Sequence, residues 1–510
     1  MKTAAIICEL NPAHNGHKYI FDEVKRRSGA DYVIALMSGS YVQRGEPALI
    51  DKYLRTKMAL KLGADLVLEL PSPFSFQSAR EFAMAGVRLA EATDIIDVLG
   101  FGAEFPLSAP EAQDMSETYC GESSSACDKE NALPMAPKDG YDSLHDDSSN
   151  EKCLTAYFSE KLKTAAEILL TEPEEFKTAL RAALKEGLSY PKASELALKA
   201  CGIEEASLIS SPNNILAREY LRALLITKKK KNNFKIPSIS TFGSNVDNSL
   251  KNISDDLEAY EAKYFGNLST TDEALNKRGH KSINALIIPR IGDGYNEERP
   301  KDGRFASATA LRKLLLSGAS FSEIAPYIPT ELYDEYKKLC DANIPLITPD
   351  DMSFLLNYRL QVLKNFSMPQ TRMENSDGIF DIPRELYARI MDTAGLIMSY
   401  SERIELLKAK SYTYTRLSRA LLNLALSVSE SEVKAKKDAG YAEYIRILGF
   451  KKDSAELLSE LKKNAKLPIV SNAAANRELL GSSVFYDNIY YSLATKKSCP
   501  NEYERQIVII

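Results

Sequence analysis

The sequence of 510 residues has no apolar run long enough to cross a lipid bilayer. Apolar runs such as residues 6–8 and 66–68 are far shorter than the ~20 residues that a membrane-spanning helix needs. The N-terminus has no apolar core followed by a small-residue cleavage site, so it does not resemble a secretion signal. We therefore expect a cytoplasmic protein with no membrane partner.

Cysteine is sparse and shows no pairing pattern. The seven cysteines include no Cys-x-x-Cys pair, and their number is odd. This argues against both a disulfide framework and a zinc site, and it fits a reducing compartment. Cys8 lies in an apolar, strand-like segment, so we predict that it is a small core residue.

The chain also lacks the excess of positive charge that would announce a nucleic-acid partner, since its net charge is -5. The distribution of charge is uneven, however. Residues 111–152 carry eleven acids and three bases, whereas residues 403–466 carry fourteen bases and eight acids. Averaging over the chain therefore hides a basic C-terminal region.

The first hundred residues alternate between strand and helix patterns. Asp51 is a predicted N-cap and Gly63 a predicted C-cap of one of these helices. We predict strands at residues 3–8, 31–37, 65–70 and 95–101, and helices at residues 18–27, 51–62 and 77–92. Strands separated by helices predict a parallel sheet, and such sheets bind ligands at the carboxyl ends of their strands.

The remaining chain is too long to share one ordinary core with these residues, so we predict two domains. We expect helices at 152–201, 214–227 and 307–316, and a strand at 282–291. The predicted fold is an α/β, Rossmann-like domain over residues 1–344 and a mainly helical C-terminal domain over residues 345–510. Two polar segments, residues 108–150 and 242–281, are predicted insertions in the first domain.

Histidine is scarce as well, with four in the chain. His14 and His17 lie three residues apart around Gly16, in the loop after the first predicted strand. At a helix start this spacing places both imidazoles on one side, and glycine lets the main chain approach a phosphate closely. The helix N-terminus, Asn11 and Asn15 add donors for an anion. These features predict a phosphate-binding loop, although the same histidines would also suit an ordinary helix cap.

Seen together, several segments resemble a known family. Residues 11–17 (NPAHNGH) look like the HxGH loop of the HIGH-type nucleotidyltransferase superfamily. Further segments, in order along most of the chain, are similar to one branch of it, the tRNA(Met) cytidine acetate ligases. They are residues 37–48, 55–60, 65–71, 212–216, 306–312, 412–417 and 444–449. A match spread over the chain in this way is specific, whereas HxGH alone is four residues long.

The resemblance implies an activity. Such enzymes use ATP, with Mg²⁺, to activate acetate as acetyl-adenylate, and then acetylate N4 of the wobble cytidine of elongator tRNA(Met). His14 and His17 would be the catalytic residues. By position, the resemblance assigns ATP binding to Ile7, Cys8, Glu9, Leu10, Asn11, Pro12, Ala13, His14, Asn15, Gly16, His17, Lys18, Tyr19, Ile20, Gly102, Asn213 and Arg290.

Other charged and hydroxyl side chains are candidates with two possible roles. Ser307, Thr309 and Arg312 stand where the superfamily carries a second phosphate motif, although the hydroxyls would also cap a helix. The lysine of the synthetase version of that motif is absent. Arg44 is a candidate site residue in a loop, whereas Lys57 fits a solvated helix face. Gly102 and Asn213 would also fit an ordinary turn and an N-cap, and Arg290 a surface ion pair.

The candidates for RNA binding are residues 228–231, which are four lysines, and the basic stretch at 403–466. Tyrosines at 412, 414, 441 and 444 are interleaved with those bases, and aromatic rings can stack on unpaired bases. The rival functions are a cofactor adenylyltransferase, a class I aminoacyl-tRNA synthetase and a non-catalytic RNA-binding module with structural ATP.

Overall fold

A computed structural model describes residues 1–105, 148–231, 282–290, 306–341, 344–366, 378–494 and 500–510. The strands are β1 (Thr3–Cys8), β2 (Tyr32–Met37), β3 (Tyr41–Val42), β4 (Glu46–Pro47), β5 (Leu66–Glu69), β6 (Val98–Ala103), β7 (Asn284–Pro289), β8 (Ile445–Phe450), β9 (Ile469–Val470) and β10 (Val508–Ile509).

The helices of the N-terminal and middle parts of the chain are α1 (Asn15–Ser28), α2 (Lys52–Leu62), α3 (Ala79–Thr93), α4 (Ser148–Thr171), α5 (Glu174–Lys185), α6 (Tyr190–Ala200), α7 (Ala206–Ile209), α8 (Pro212–Lys231), α9 (Ala308–Leu316), α10 (Phe321–Ile324) and α11 (Tyr333–Cys340). Those that follow are α12 (Ser353–Phe366), α13 (Arg384–Asp392), α14 (Tyr400–Leu407), α15 (Tyr414–Leu426), α16 (Glu430–Asp438), α17 (Ala455–Asn464), α18 (Arg477–Leu480) and α19 (Ser482–Ser492).

An eight-stranded sheet is built around β1. Its order is β10-β8-β5-β2-β1-β6-β7, and β9 also pairs with β8. Strand β1 runs parallel to both β2 and β6, and β2 runs parallel to β5. These four strands confirm the predicted parallel sheet, and the loop after β1 leaves from its carboxyl edge.

Local capping chemistry sets the helix starts. Asp51 caps α2 by accepting from the amides of Tyr53 and Leu54, and Gly63 ends it, as predicted. Ser307 caps α9 by accepting from Ala310. Helix α1 starts at Asn15 rather than at the predicted residue 18, because the cap lies earlier than the hydrophobic pattern indicated.

The C-terminal part of the chain is mainly helical, yet it also adds strands that the sequence pattern did not predict. Strand β8 pairs antiparallel with β5 and parallel with β9 and β10, so the sheet is mixed. A six-residue apolar run is ambiguous by periodicity alone, since its partner lies almost 400 residues away. Residues 345–510 therefore share a sheet with the N-terminal residues, and the separate role predicted for them stays a prediction.

A buried network of charges joins these distant segments. Lys52 Nζ lies 2.7 Å from Glu69, 2.7 Å from Asp487 and 3.0 Å from Glu502. Arg446 of β8 pairs with Glu69 and Glu502. Burial raises the pKa of Asp487, while Lys52 opposes that rise. Because breaking a buried pair leaves an uncompensated charge, this network specifies the attachment of β8 and α19 to α2.

An apolar cluster continues this attachment. It combines Tyr41 and Phe76 from the N-terminal part with Leu417, Leu421 and Tyr490 from the C-terminal part, all of them buried. The Tyr41 and Tyr490 rings pack in a T-shaped arrangement with their centroids 6.0 Å apart. The C-terminal helices thus complete the hydrophobic core around β3 and β4.

The chain divides into two compact units. One comprises Met1–Phe101, Ala223–Leu286 and Ile291–Ile510, and the other comprises Gly102–Arg222 with Ile287–Arg290. The second unit contains α4 to α7, packed through buried side chains such as Phe158, Leu162 and Phe176. The predicted insertion at 242–281, and that at 108–150 up to residue 147, lie outside the described residues. Among the described helices, none is long and apolar enough to span a membrane.

Candidate functional site

His14 and His17 face each other at the start of α1. His14 is the N-cap: its Nδ1 accepts from the amide of Gly16 at 3.0 Å, while its own amide donates to His17 Nδ1 at 3.2 Å. The ring centroids lie 4.0 Å apart. Because each Nδ1 accepts a hydrogen bond, the neutral form of each ring carries its proton on Nε2. The capping role and the ligand-donor role, which the sequence left as alternatives, are therefore compatible.

The loop carrying these histidines is fixed by contacts with distant segments. Asn11 Oδ1 accepts from the amide of Leu49 at 2.8 Å, and Asn15 Nδ2 donates to the Pro326 carbonyl at 3.0 Å. Tyr336 donates its hydroxyl proton to the carbonyl of Ala13. These partners hold the main chain of the loop in one conformation, which favours preorganised donors at the helix start.

Arg55 stabilises the loop after β1 through hydrogen bonds to main-chain carbonyls. Its side chain is fully buried, and it donates to the carbonyls of Glu9, Ser38, Gly39 and Ile50. It therefore connects the loop after β1, the loop after β2 and the segment just before α2. The sequence placed this arginine only within a family segment, and its role as an internal donor to carbonyls depends on tertiary contacts.

The second predicted motif lies against the first. Arg312 Nη1 donates to the carbonyl of Asn11 at 2.7 Å, and its Nη2 donates to Thr309 Oγ1 at 3.1 Å. Arg44 Nη2 reaches the same Thr309 hydroxyl at 3.4 Å. Ser307 does cap α9. Arg312 of the same motif also contacts the HxGH loop, and Arg44 contacts the motif through Thr309. The structure thus brings Arg44 and Arg312 to the same hydroxyl group, whereas their roles were left open by the sequence analysis.

Glu9 is an acid of this cluster. Its Oε1 accepts from the amide of Gln43 at 2.6 Å. Burial raises the pKa of Glu9, while that hydrogen bond and the charges of Arg44, Arg55 and Arg312 oppose the rise. Arg44 and Arg312 also act on Glu46, so three guanidinium groups outnumber two carboxyl groups, which favours an anion at this edge of the sheet.

The residues predicted to bind ATP at positions 7–20 differ in what they could offer to a ligand. Leu10 and Ala13 are fully buried, so only their main chains are available. Cys8 is buried too, and burial raises its pKa to about 12, as fits the predicted core residue. Lys18 forms an ion pair with Asp22 at 2.6 Å. The remaining candidates are Ile7 at the end of β1, Pro12 in the loop, and Tyr19 and Ile20 on α1.

Gly102, Asn213 and Arg290 lie in the second unit. Arg290 Nη1 donates to Asn213 Oδ1 at 3.2 Å, and Asn213 Nδ2 donates to Glu104. Asn213 is inside the first turn of α8, so it is not the N-cap. Gly102 lies within β6 and not after it. Sequence reasoning missed Glu104, a charged residue directly after an apolar strand.

Several candidates have structural roles. Lys57 pairs with Glu335 at 3.0 Å, in keeping with a helix-face residue. Within 403–466, Tyr441 packs on Phe74, and Tyr444 donates to Ser483 from a partly buried position. Many bases of that stretch have internal partners. The internally held bases are Arg403, Arg416, Lys437, Arg446, Lys451 and Lys466. Its positive charge is thus less available to RNA than the count implied.

Comparisons with known proteins identify the family of this chain. The family model described as HIGH Nucleotidyl Transferase matches residues 1–132, 156–254 and 273–506. A tRNA(Met) cytidine acetate ligase of Acetivibrio thermocellus is 30% identical, covering 92% of this chain and 88% of the relative. One from Caldanaerobacter subterraneus is 29% identical, covering 96% and 92%. The fold and the HxGH loop therefore define a HIGH nucleotidyl transferase.

Solved structures show the same fold. Thermotoga maritima TmcAL in its apo form is 25% identical with a TM-score of 0.72, and the same protein bound with alpha-thio ATP is 24% identical with a TM-score of 0.70. Both comparisons cover 100% of each chain. The chain belongs to the tRNA(Met) cytidine acetate ligase family, a family of ligase enzymes.

Proposed function

We propose that this chain binds ATP and acetate, forms acetyl-adenylate and pyrophosphate, and transfers the acetyl group to N4 of the wobble cytidine of elongator tRNA(Met). The observation that carries the proposal is the pair of imidazoles at the start of α1, held 4.0 Å apart with Arg312 against the same loop. The names of the relatives and the alpha-thio ATP bound to Thermotoga maritima TmcAL support it.

The first step needs positioning and charge stabilisation. An acetate oxygen attacks the α-phosphorus of ATP, and the bond to the bridging oxygen breaks so that pyrophosphate leaves. His14 and His17 would donate from Nε2 to the phosphoryl oxygens as charge builds there. Arg312 and Arg44 add positive charge beside the loop. No covalent enzyme intermediate is required, because the acetate oxygen displaces pyrophosphate directly.

We propose that Mg²⁺ enters with the triphosphate. Among the described residues, no group of three or more His, Cys, Asp or Glu side chains could hold a metal ion. Magnesium is commonly held through substrate phosphates and water with few protein ligands, so the residues of this site are compatible with it.

The assignment of Gly102, Asn213 and Arg290 to ATP rests on the family resemblance.

The tRNA partner is expected on residues 345–510, and a cytoplasmic location follows from such a substrate. The bases that remain exposed near the end of β8 and along α17 are Lys452, Lys462 and Lys463. Their charges could contact phosphates, which would make tRNA affinity depend steeply on salt.

Two measurements test the proposal. Exchange of labelled pyrophosphate into ATP should require acetate, and mass spectrometry of tRNA(Met) incubated with ATP and acetate should show a gain of one acetyl group on cytidine. Exchange that does not require acetate, without a tRNA product, would instead favour a cofactor adenylyltransferase. Binding of ATP and tRNA with neither reaction would favour the non-catalytic RNA-binding module.

A further inference from the structure

The short hairpin formed by β3 and β4 is locked in place next to the HxGH loop. Gly45 at its turn has φ +80, and a Cβ there would meet the main chain of Arg419 at 2.5 Å. Ser418 on α15 donates its hydroxyl proton to the Gly45 carbonyl at 2.8 Å. The residues on either side of Gly45, Arg44 and Glu46, are therefore held rigidly between α15 and the start of α9.

Glu46 is a half-buried acid whose carboxyl group the fold does not use. The carboxyl group of Glu46 makes no hydrogen bond, and no ion pair within 4.0 Å, with the residues that the structure describes. Burial raises its pKa, and the neighbouring charges of Arg312 and Arg44 oppose that rise. A carboxyl group that loses hydration without gaining a hydrogen bond costs stability, so such a residue indicates a role toward a ligand.

An aromatic ring completes the surroundings of Glu46. Tyr414, the first residue of α15, is half-buried. Burial, together with the charge of Glu46, raises the pKa of Tyr414 to about 12, while Arg44 opposes the rise. Lys408 Nζ lies 5.9 Å from the centroid of the Tyr414 ring. Tyr414 lies one helical turn before Ser418, which donates to the Gly45 carbonyl between Arg44 and Glu46. This contact places the ring, the carboxyl group and the guanidinium group at the same hairpin beside the proposed adenylate site.

We propose that Glu46, Tyr414 and Arg44 form the subsite for the acceptor base, with Glu46 accepting from the exocyclic amine of an unpaired cytidine. This inference rests on the proposed function and assigns part of its second step to residues of this chain. Tyr414 would stack on the base, and Arg44 would donate to its ring acceptors. The hydrogen-bonding pattern fits cytosine, which has an amine beside ring acceptors. Uracil instead presents a carbonyl oxygen to Glu46, and two acceptors facing each other repel.

Glu46 would also act in the transfer itself. The N4 nitrogen attacks the carbonyl carbon of acetyl-adenylate, a C–N bond forms, and the bond from that carbon to the phosphate oxygen breaks. AMP leaves with the electron pair of that bond, and the proton lost by N4 passes to the Glu46 carboxylate. A raised pKa makes this carboxylate a better proton acceptor than an exposed one.

The first experiment measures binding without ATP or acetate. Fluorescence anisotropy would compare full-length protein with tRNA(Met) transcripts that carry either cytidine or uridine at the wobble position. We expect the wild type to prefer cytidine by about 10-fold. Glu46→Gln should remove the preference, because an amide can donate to the uracil oxygen as well as accept from the cytosine amine. Tyr414→Leu should weaken both complexes about equally, and Tyr414→Phe should restore binding.

The second experiment separates the two chemical steps. With supplied acetyl-adenylate, Glu46→Gln should lower the rate of transfer at least about 100-fold more than it lowers acetate-dependent pyrophosphate exchange. Glu167→Gln, an exposed glutamate on α4, is the matched control and should change neither rate. Circular dichroism should show that all variants are folded.

Retention of both the cytidine preference and the wild-type ratio of the two rates in Glu46→Gln would overturn the inference. Failure of the proposed function looks different. In that case the wild type itself would show no acetate-dependent exchange, whatever its preference between the two transcripts.

Discussion

Arg312 Nη1 donates a 2.7 Å hydrogen bond to the carbonyl of Asn11, a residue 301 positions earlier in the chain. The bond links the second turn of α9 in one motif to the loop of the other. Both motifs were visible in the sequence, but the bond shows that they form one surface. The following predictions concern that surface and the contacts that support it.

Replacement of Arg312 tests whether the second motif takes part in catalysis. Arg312→Ala removes a charge and a fork of donors, and we expect acetate-dependent pyrophosphate exchange to fall about 10²-fold or more. Arg312→Lys should recover only part of the rate, because an ammonium group cannot contact Asn11 and Thr309 with the same geometry. Lys313→Ala is the neighbouring control, and a fall as large as that of Arg312→Ala would show a general effect of charge on α9.

Substitutions of His14 can separate its capping role from its chemical role. His14→Asn keeps an N-cap acceptor, whereas His14→Ala removes it, so the alanine variant should be less stable by about 1 kcal/mol in urea unfolding. Both should lose about 10²–10³-fold in pyrophosphate exchange, because both lose the imidazole donor. His17→Ala should lose activity similarly. Wild-type exchange rates in His14→Asn and His17→Ala would contradict the assignment of this loop.

Arg55 should matter for stability before it matters for catalysis. Arg55→Met would leave several buried carbonyls without a donor, and each such group costs about 1–3 kcal/mol. We therefore expect the free energy of unfolding to fall by at least about 3 kcal/mol in urea titrations. Arg26→Met is the comparison, since Arg26 is largely exposed and forms a surface ion pair with Glu23. Equal losses in the two variants would show that the contacts of Arg55 contribute little.

The exposed lysines near the end of β8 and on α17 should contribute to tRNA affinity. Replacing Lys452, Lys462 and Lys463 by glutamine together should weaken tRNA binding and make its dependence on salt shallower, while pyrophosphate exchange is retained. Lys451 is excluded from the set because it is half-buried and pairs with Asp65 at 3.4 Å, whereas Lys463, which pairs with Glu460 of the same helix, is 73% exposed.

A triple variant of equal charge change, Lys163, Lys185 and Lys199 to glutamine, serves as its control. These lysines are exposed on α4, α5 and α6. Filter binding at several salt concentrations would compare the tRNA affinity of both triple variants. An equal loss of affinity would show that only net charge matters and would contradict a local RNA surface on β8 and α17.

Local features of the fold could be predicted because neighbouring residues encode them. The apolar run of residues 3–8 gives β1, and Asp51 and Gly63 mark both ends of α2. The pairing of His14 with His17 is likewise local, since three residues on a helix start determine that the rings share a side. These predictions required no knowledge of the rest of the chain.

The tertiary structure decided what comes together from far apart. A local pattern cannot predict three features of the structure. They are the antiparallel pairing of β8 with β5, the burial of Lys52 among three carboxylates, and the contact of Arg44 with Thr309. From sequence alone a charged residue is assigned to the solvated surface unless its partners are known. Two of the three partners of Lys52, Asp487 and Glu502, lie more than 400 residues away from it. The sequence by itself thus determined the strand–helix order and the histidine loop, whereas long-range packing and buried charge pairing determined which side chains surround that loop.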